Sequence, residues 1–242
     1  RQNFKIMKTA KKTELSLYID GSKIIFEHYD DINNAKKIVL FCHGFPGSSR
    51  LVRLCDNLKN SPISLVEINY RGDKKSEGKF SFLGSIKDIR TVANHLKEKY
   101  KVPIHALGYS MGGFYLTNII NKEPHIFEKV ILLNPVVDTF ALFSNKILME
   151  ELWRNAENIL SLKTTEDYNE EIRLVTSKFN PIEFAKKLKS NITIIQSTKD
   201  EVLEPEHAKR FYTLLNGKKS YLEILNKTHD LLGDEKELID AI

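Results

Sequence analysis

Gly108-Tyr109-Ser110-Met111-Gly112-Gly113 sets a serine between glycines two positions to either side, directly after the apolar run 104–107 and directly before a helical stretch reaching residue 120. A sharp strand-to-helix turn puts such a serine in a strained backbone and lifts its hydroxyl clear, while the glycines leave room for neighbouring elements. The helix opening at Met111 directs free N–H groups and its dipole toward that hydroxyl, which favours negative charge there. A serine attacks only when a base takes its proton, and the anionic tetrahedral intermediate needs donors. The bare spacing is a weak signal, and a glycine-rich turn with an incidental serine is the competing account; the flanking strand and helix are what favour the chemistry.

The base and acid are sought in two downstream loops. The run 192–195 leads into Gln196-Ser197-Thr198-Lys199-Asp200, and the run 221–225 leads into Asn226-Lys227-Thr228-His229-Asp230. In a parallel sheet both loops leave by the edge that presents Ser110, the edge where ligands bind. His229 is expected to take the serine proton, and Asp200 to hold the imidazole tautomer and stabilise the imidazolium. Asp138, which follows the run 130–133, is the alternative acid; Asp200 is preferred because Asp138 suits the start of the segment behind it. At the same edge, after the run 38–41, stands the turn His43-Gly44-Phe45-Pro46-Gly47. Its backbone is expected to aim the Phe45 N–H at the oxyanion, opposite the Met111 N–H. His43 precedes the nucleophile and is expected to brace this loop by a hydrogen bond rather than act as base.

Other chemistry-bearing residues carry less. Asp88, three residues after Ser85, reads as a helix-start residue. His28, His95, His105, His125 and His207 have no partner at metal-ligand spacing. Neither GxxxxGK nor GxGxxG after a strand occurs. Acyl transfer to serine calls for no cofactor and no metal.

The elements that must position these residues are legible. Strand-like segments 14–18 and 23–28 flank Asp20-Gly21, a dipeptide that supplies the positive φ angles of a tight hairpin. Six short apolar, β-branched runs follow, at 38–41, 65–68, 104–107, 130–133, 192–195 and 221–225, separated by helical patterns. Continuous apolar runs mark strands covered on both faces, which predicts a mostly parallel sheet of about eight strands with helices on either side. Ser85 is expected to cap a helix whose inner face is Ile86, Ile89, Val92, Ala93 and Leu96. Another helix starts at Pro205 and ends at Asn216-Gly217.

One interval breaks the alternation. Residues 138–180 carry no strand signal but hold a helical stripe of Leu148, Leu152, Ala156, Ile159 and Leu160 near Phe140, Phe143 and Trp153. They are expected to form a small helical lid inserted after the sixth strand, on a core made of 1–137 and 181–242. Phe140, Phe143, Leu148, Leu152 and Trp153 are its candidate substrate-lining residues; the alternative is that they only glue the lid to the core. No internal repeat is present.

Through HGFPG, NYRGDKKSEG, GYSMGG, the Asp200 loop and His229, from about residue 37 onward, the chain resembles α/β-hydrolases of the serine esterase and lipase group. It is most similar to small carboxylesterases, including cinnamoyl (feruloyl) esterases, and to monoacylglycerol-lipase-like and serine-aminopeptidase-like members. The HGFPG turn is shared with epoxide hydrolases and dehalogenases, but those use aspartate as nucleophile, and here Ser110 stands in that place. Family members often carry a second glycine in the Tyr-Arg-Gly loop, where this chain has Asp73-Lys74-Lys75. The resemblance implies a serine carboxylic-ester hydrolase acting on a small or medium ester with a hydrophobic or aromatic group. Amide, peptide or thioester cleavage by the same residues is the rival within enzymes. A catalytically silent binding protein on the same scaffold is the rival outside them.

Composition sets the bounds. The 242 residues, 41% hydrophobic and 29% charged, suffice for one α/β domain with a buried core. The net charge of +5 is spread over pairs such as Lys11-Lys12, Lys74-Lys75, Lys186-Lys187 and Lys218-Lys219 with acidic residues nearby, so no nucleic-acid partner is implied. Cys42 and Cys55 make no disulfide framework, which suits a reducing cytoplasm. No apolar stretch approaches the roughly 20 residues of a membrane span. The chain begins at Arg1 without an initiator Met, which leaves room for a removed leader. The expected partner is a small-molecule ester, and the oligomeric state is monomer or homodimer.

Overall fold

The computed structural model describes residues 12–242 apart from 30, 48–50, 52, 60 and 74; Lys11 and Lys74 of the lysine pairs lie outside the described residues. Asp20 and Gly21 take φ of 52° and 80°, the left-handed pair that a tight hairpin demands, and join β1 (Lys12–Ile19) to β2 (Ser22–Tyr29). Six further strands follow: β3 (Lys37–Cys42), β4 (Ile63–Asn69), β5 (Ile104–Tyr109), β6 (Lys129–Leu133), β7 (Ile192–Ser197) and β8 (Lys219–Ile224). All eight make one sheet in the order β1-β2-β4-β3-β5-β6-β7-β8. The β1–β2 and β2–β4 pairings are antiparallel, and β3 to β8 run parallel. The chain reverses direction along the sheet between β4 and β5, leaving β3 in the middle.

Helices between the strands are α1 (Leu54–Leu58), α2 (Phe82–Tyr100), α3 (Met111–Lys122), α4 (Thr139–Ser144), α5 (Lys146–Glu157), α6 (Thr165–Lys178), α7 (Pro181–Phe184), α8 (Pro205–Leu214) and α9 (Lys236–Ala241). Successive residues of β3 serve opposite faces. Ile38, Leu40 and Cys42 join the larger core under α2, α3 and α8, whereas Val39 and Phe41 join the smaller one under α1 and α9. Each large side chain fully buried this way contributes about 1.5–3 kcal/mol. The edge strand β8 departs from the continuous apolar pattern, because only part of it is covered and Leu222 stays exposed.

The start of α2 differs from expectation. Its N-cap is Ser81, whose hydroxyl accepts from the Gly84 N–H, while Ser85 lies inside the first turns and donates to the Ser81 carbonyl. Asp88 is not a helix-start residue either. It is fully buried and accepts from the Arg71 backbone N–H at 3.0 Å and from its guanidinium at 2.6 Å, tying α2 to the loop after β4. The lysine pairs also do more than face solvent at one point, since Lys12 and Lys75 both bind the buried Glu27.

After β6 the chain forms α4 to α7 before re-entering the sheet at β7. The later half of this segment is stitched to the core. Ser161 N–H donates to the Gly72 carbonyl, Tyr168 Oη to the Phe80 carbonyl, and Glu171 receives Ser81 Oγ and the Leu83 N–H at the start of α2. That carboxylate complements the positive end of α2. Among the described residues no helix is long and apolar enough to cross a membrane.

Candidate active site

Ser110 joins β5 to α3 at φ 53° and ψ −118°, outside the conformations that a non-glycine residue favours. Its backbone is over-determined: its N–H donates to Leu133 O, and its carbonyl accepts from Gly113 and Val136. The flanking glycines are needed for space. A Cβ on Gly112 would come within 2.0 Å of the Cys42 carbonyl oxygen, one on Gly113 within 2.5 Å of Pro135, and one on Gly108 within 2.7 Å of Gly112. Gly44 from the loop after β3 presses on the serine as well, a Cβ there lying 3.0 Å from Ser110 Cβ.

The loops after β7 and β8 meet as parallel topology requires. His229 Nδ1 lies 2.8 Å from Asp200 Oδ2 and 3.0 Å from Oδ1. Both residues are buried. Asp138 is elsewhere: it is the N-cap of α4, accepting from the Ala141 N–H and from the Asn180 amide. His43 is buried too, with Nδ1 2.8 Å from Gly44 O and its ring 4.2 Å from that of Tyr70.

Ser110 and His229 line one cavity of about 630 Å³ together with Gly44, Phe45, Gly47 and Met111. Of the five expected lining residues from 138–180, Leu148 and Leu152 face it, joined by Leu142 and Met149. Phe140, Phe143 and Trp153 are not among its lining residues. Phe140 is 66% exposed, because α4 turns that position outward. Phe143 packs on Phe82, and Trp153 packs on Phe45 at 5.0 Å and Tyr168 at 4.7 Å, inside the aromatic cluster behind the cavity wall. These two match the alternative reading, in which such residues join the segment to the core. The wall also carries Glu151, Asn155 and Asn158 from the α5 region.

Several further residues set this geometry. Asn134, at φ 41°, donates to the His229 carbonyl and to Ser197 Oγ and accepts from the Ser197 N–H, fastening the three loops after β6, β7 and β8 together. Tyr109 Oη donates to the His229 carbonyl at 3.1 Å, and Glu201 accepts from the His229 N–H at 3.1 Å. In the sequence only the residue type of Asn134, one that tolerates a positive φ, hints at such a role. The Cys42 thiol pKa is raised by burial, and that of Cys55 is pushed up to about 12, chiefly by burial, so neither supplies a thiolate at neutral pH. Among the described residues no group of three His, Cys, Asp or Glu could hold a metal ion.

A mostly parallel eight-stranded sheet covered on both faces, with a leading antiparallel hairpin, defines an α/β-hydrolase. Residues 33–176, more than half of the chain, match the family model described as serine aminopeptidase, S33, and the chain belongs to that family. A second model, PhoPQ-activated pathogenicity-related protein, matches residues 156–242. Among curated relatives, a monoglyceride lipase homolog of Monkeypox virus is 26% identical over 146 residues, 58% of this chain and 53% of its own length. A type I acyl-CoA thioesterase of Penicillium brevicompactum is 28% identical over 57 residues, 24% of this chain and 13% of its own. The chain thus spans about half the length of the first of these relatives and a small part of the second. Among solved structures, Est1E from Butyrivibrio proteoclasticus with ferulic acid bound superposes with a TM-score of 0.74 at 18% identity, covering 94% of this chain and 95% of that one. The thioesterase domain from the curacin biosynthetic pathway superposes with a TM-score of 0.69 at 15% identity, covering 95% and 98%. Pyrococcus horikoshii acylaminoacyl peptidase does so with 0.69 at 16%, covering 98% and 41%. At these identities the likeness is one of fold.

Proposed function

We propose that the chain is a serine carboxylic-ester hydrolase working through an acyl-enzyme on Ser110. His229 takes the serine proton, and Asp200 holds its Nδ1–H and stabilises the imidazolium. The Phe45 and Met111 N–H groups receive the oxyanion. His229 returns its proton to the departing alcohol, then activates water to release the acid. The observation that carries this reading is that Ser110, in its strained turn, and His229, already bonded to Asp200, line the same cavity. The segment 138–180 serves as the lid, and Leu142, Leu148, Met149 and Leu152 form an apolar wall for a hydrophobic or aromatic group. The ferulic acid bound to Est1E and the viral monoglyceride lipase homolog are in keeping with an ester substrate. Two free cysteines are in keeping with the cytoplasm.

A fluorophosphonate probe and a panel of p-nitrophenyl esters, aminoacyl-p-nitroanilides and acyl-thioesters test the proposal. The expected result is labelling of the wild-type chain, none of Ser110→Ala, and fastest turnover of the esters. Anilides or thioesters cleaved well with esters barely touched would move the substrate class. No labelling of either chain would make the protein a binder.

A further inference from the structure

We propose that the free edge of β8 is the docking surface for a second copy of this chain, which adds its own β8 antiparallel about a twofold axis at Tyr221. β8 closes the sheet at the end remote from the hairpin and pairs on one side only, with β7. The Lys218 carbonyl accepts from the Ile192 N–H, and the Ile224 carbonyl accepts from the Thr198 N–H. In a parallel ladder a residue turns both main-chain groups to one neighbour and the next residue turns both away. Ser220 and Leu222 therefore also face β7, while Lys219, Tyr221 and Glu223 direct their main-chain N–H and C=O groups outward. Such a row is a template for another strand. Ser220, Leu222 and Glu223 are exposed, so the helices on either face leave this edge open.

The residues of the strand select the partner. Only one antiparallel self-pairing gives all three outward residues a counterpart: Tyr221 meets Tyr221 of the second copy, and Lys219 and Glu223 meet Glu223 and Lys219. Opposite charges then stand across the junction at both ends of the pairing, which stabilises it. A parallel in-register pairing would instead set lysine on lysine and glutamate on glutamate. A twofold contact also closes on itself, giving a dimer rather than a fibre. The two faces agree with this register. Lys219 and Tyr221 lie on the α8 side, the ammonium donating to the Tyr212 and Leu215 carbonyls at 2.9 and 2.7 Å and the ring packing on Tyr212 at 5.3 Å. Glu223 shares that face by the alternation of a strand. On the opposite face, where Ile224 enters the smaller core, Leu222 is left 36% exposed. In this register it stands across from Ser220 of the second copy and diagonal to its own counterpart, so pairing covers an apolar side chain that folding leaves in water.

The inference does not depend on the catalytic reading, and sedimentation velocity on the full chain tests it. The wild-type chain should be largely dimeric at about 100 µM and dissociate on dilution, with Kd on the order of 10 µM, since one added strand makes a small interface. Glu223→Lys sets Lys219 against lysine, and Lys219→Glu sets Glu223 against glutamate; each should weaken self-association about tenfold. An equimolar mixture of the two variants should associate within about threefold of wild type, because each then meets the charge it lost. Ser220→Cys/Leu222→Cys, at positions that face each other without exchanging main-chain bonds, should oxidise to a covalent dimer on non-reducing electrophoresis, where wild type runs as a monomer. This variant leaves Lys219 on α8 and tests the register even where circular dichroism shows that Lys219→Glu fails to fold. A wild-type chain still monomeric at about 100 µM would overturn the proposal. Charge variants that associate like wild type, a mixture of folded variants no stronger than its components, or no covalent dimer from Ser220→Cys/Leu222→Cys would do the same.

Discussion

Asp200 engages the ring of His229 with both carboxylate oxygens, at 2.8 and 3.0 Å, while the same oxygens receive the Val202 and Leu203 N–H groups and the Gln196 amide. Four donors converge on one buried carboxylate, so it is held in a single orientation.

The two candidate acids should separate cleanly. Asp200→Asn removes the charge that fixes the His229 tautomer and is expected to lower kcat by about 10⁴-fold with little change in KM. Asp138→Asn can still cap α4, so kcat should stay within about twofold, while Asp138→Ala should cost about 1 kcal/mol of stability. Steady-state kinetics on p-nitrophenyl butyrate with thermal unfolding of each variant decides it; a larger kinetic loss at position 138 would reverse the assignment.

The wall contributed by α5 should tune acyl length. Leu152→Ala is expected to reduce kcat/KM for p-nitrophenyl octanoate about tenfold relative to the acetate, as one to three kcal/mol of apolar contact is lost. Phe140→Ser, on the outward face of α4, should change neither by more than about twofold. A ratio that moved with Phe140 instead would mean that α4 turns over in the working enzyme.

Two glycines separate space from backbone strain. Gly112→Ala drives a methyl group into the Cys42 carbonyl and should leave little folded protein in the soluble fraction. Gly21→Ala meets nothing within 4 Å, yet its φ of 80° disfavours any side chain, and about 1 kcal/mol should be lost. Urea denaturation of the second variant against wild type measures that loss, and a stabilised Gly21→Ala would refute the strain argument.

The pair of lysines on Glu27 predicts an acid-sensitive contribution. Burial by itself raises the Glu27 carboxyl, but hydrogen bonds from Lys12 and Lys75 outweigh it and hold its pKa below the ordinary 4.5. A pKa depressed by folding contributes stability that is complete above the unfolded value and is lost as pH falls through the folded one. The stability advantage of wild type over Glu27→Gln should therefore shrink between about pH 6 and about pH 3. Urea unfolding of both proteins across that range reads it directly, and an advantage that grew toward acid would contradict the sign.

Much of the fold and of the candidate site was legible in the residues. The runs that became β3 to β7 are mostly apolar, broken by Glu67, His105 and Thr193, because both faces of those strands are covered, and the Asp20-Gly21 turn carries its own backbone preference. Ser110, Asp200 and His229 could be placed on loops because parallel strands release their C-terminal ends at one edge of the sheet. Local signals misled where a later contact decided: Ser81 caps α2 in place of Ser85, because Glu171 of a distant helix completes that terminus.

The sequence by itself determined which residues stand at the ends of which strands, since strand period, turn chemistry and glycine spacing act over a few neighbours. The tertiary structure alone decided which carboxylate meets His229, and that Phe140 faces solvent while Trp153 packs against Phe45 and Tyr168. The contacts of His229 and Trp153 set a side chain against a partner tens of residues away, and such pairings, like the face that Phe140 turns outward, follow from how the packed layers are stacked, a quantity that no local pattern records.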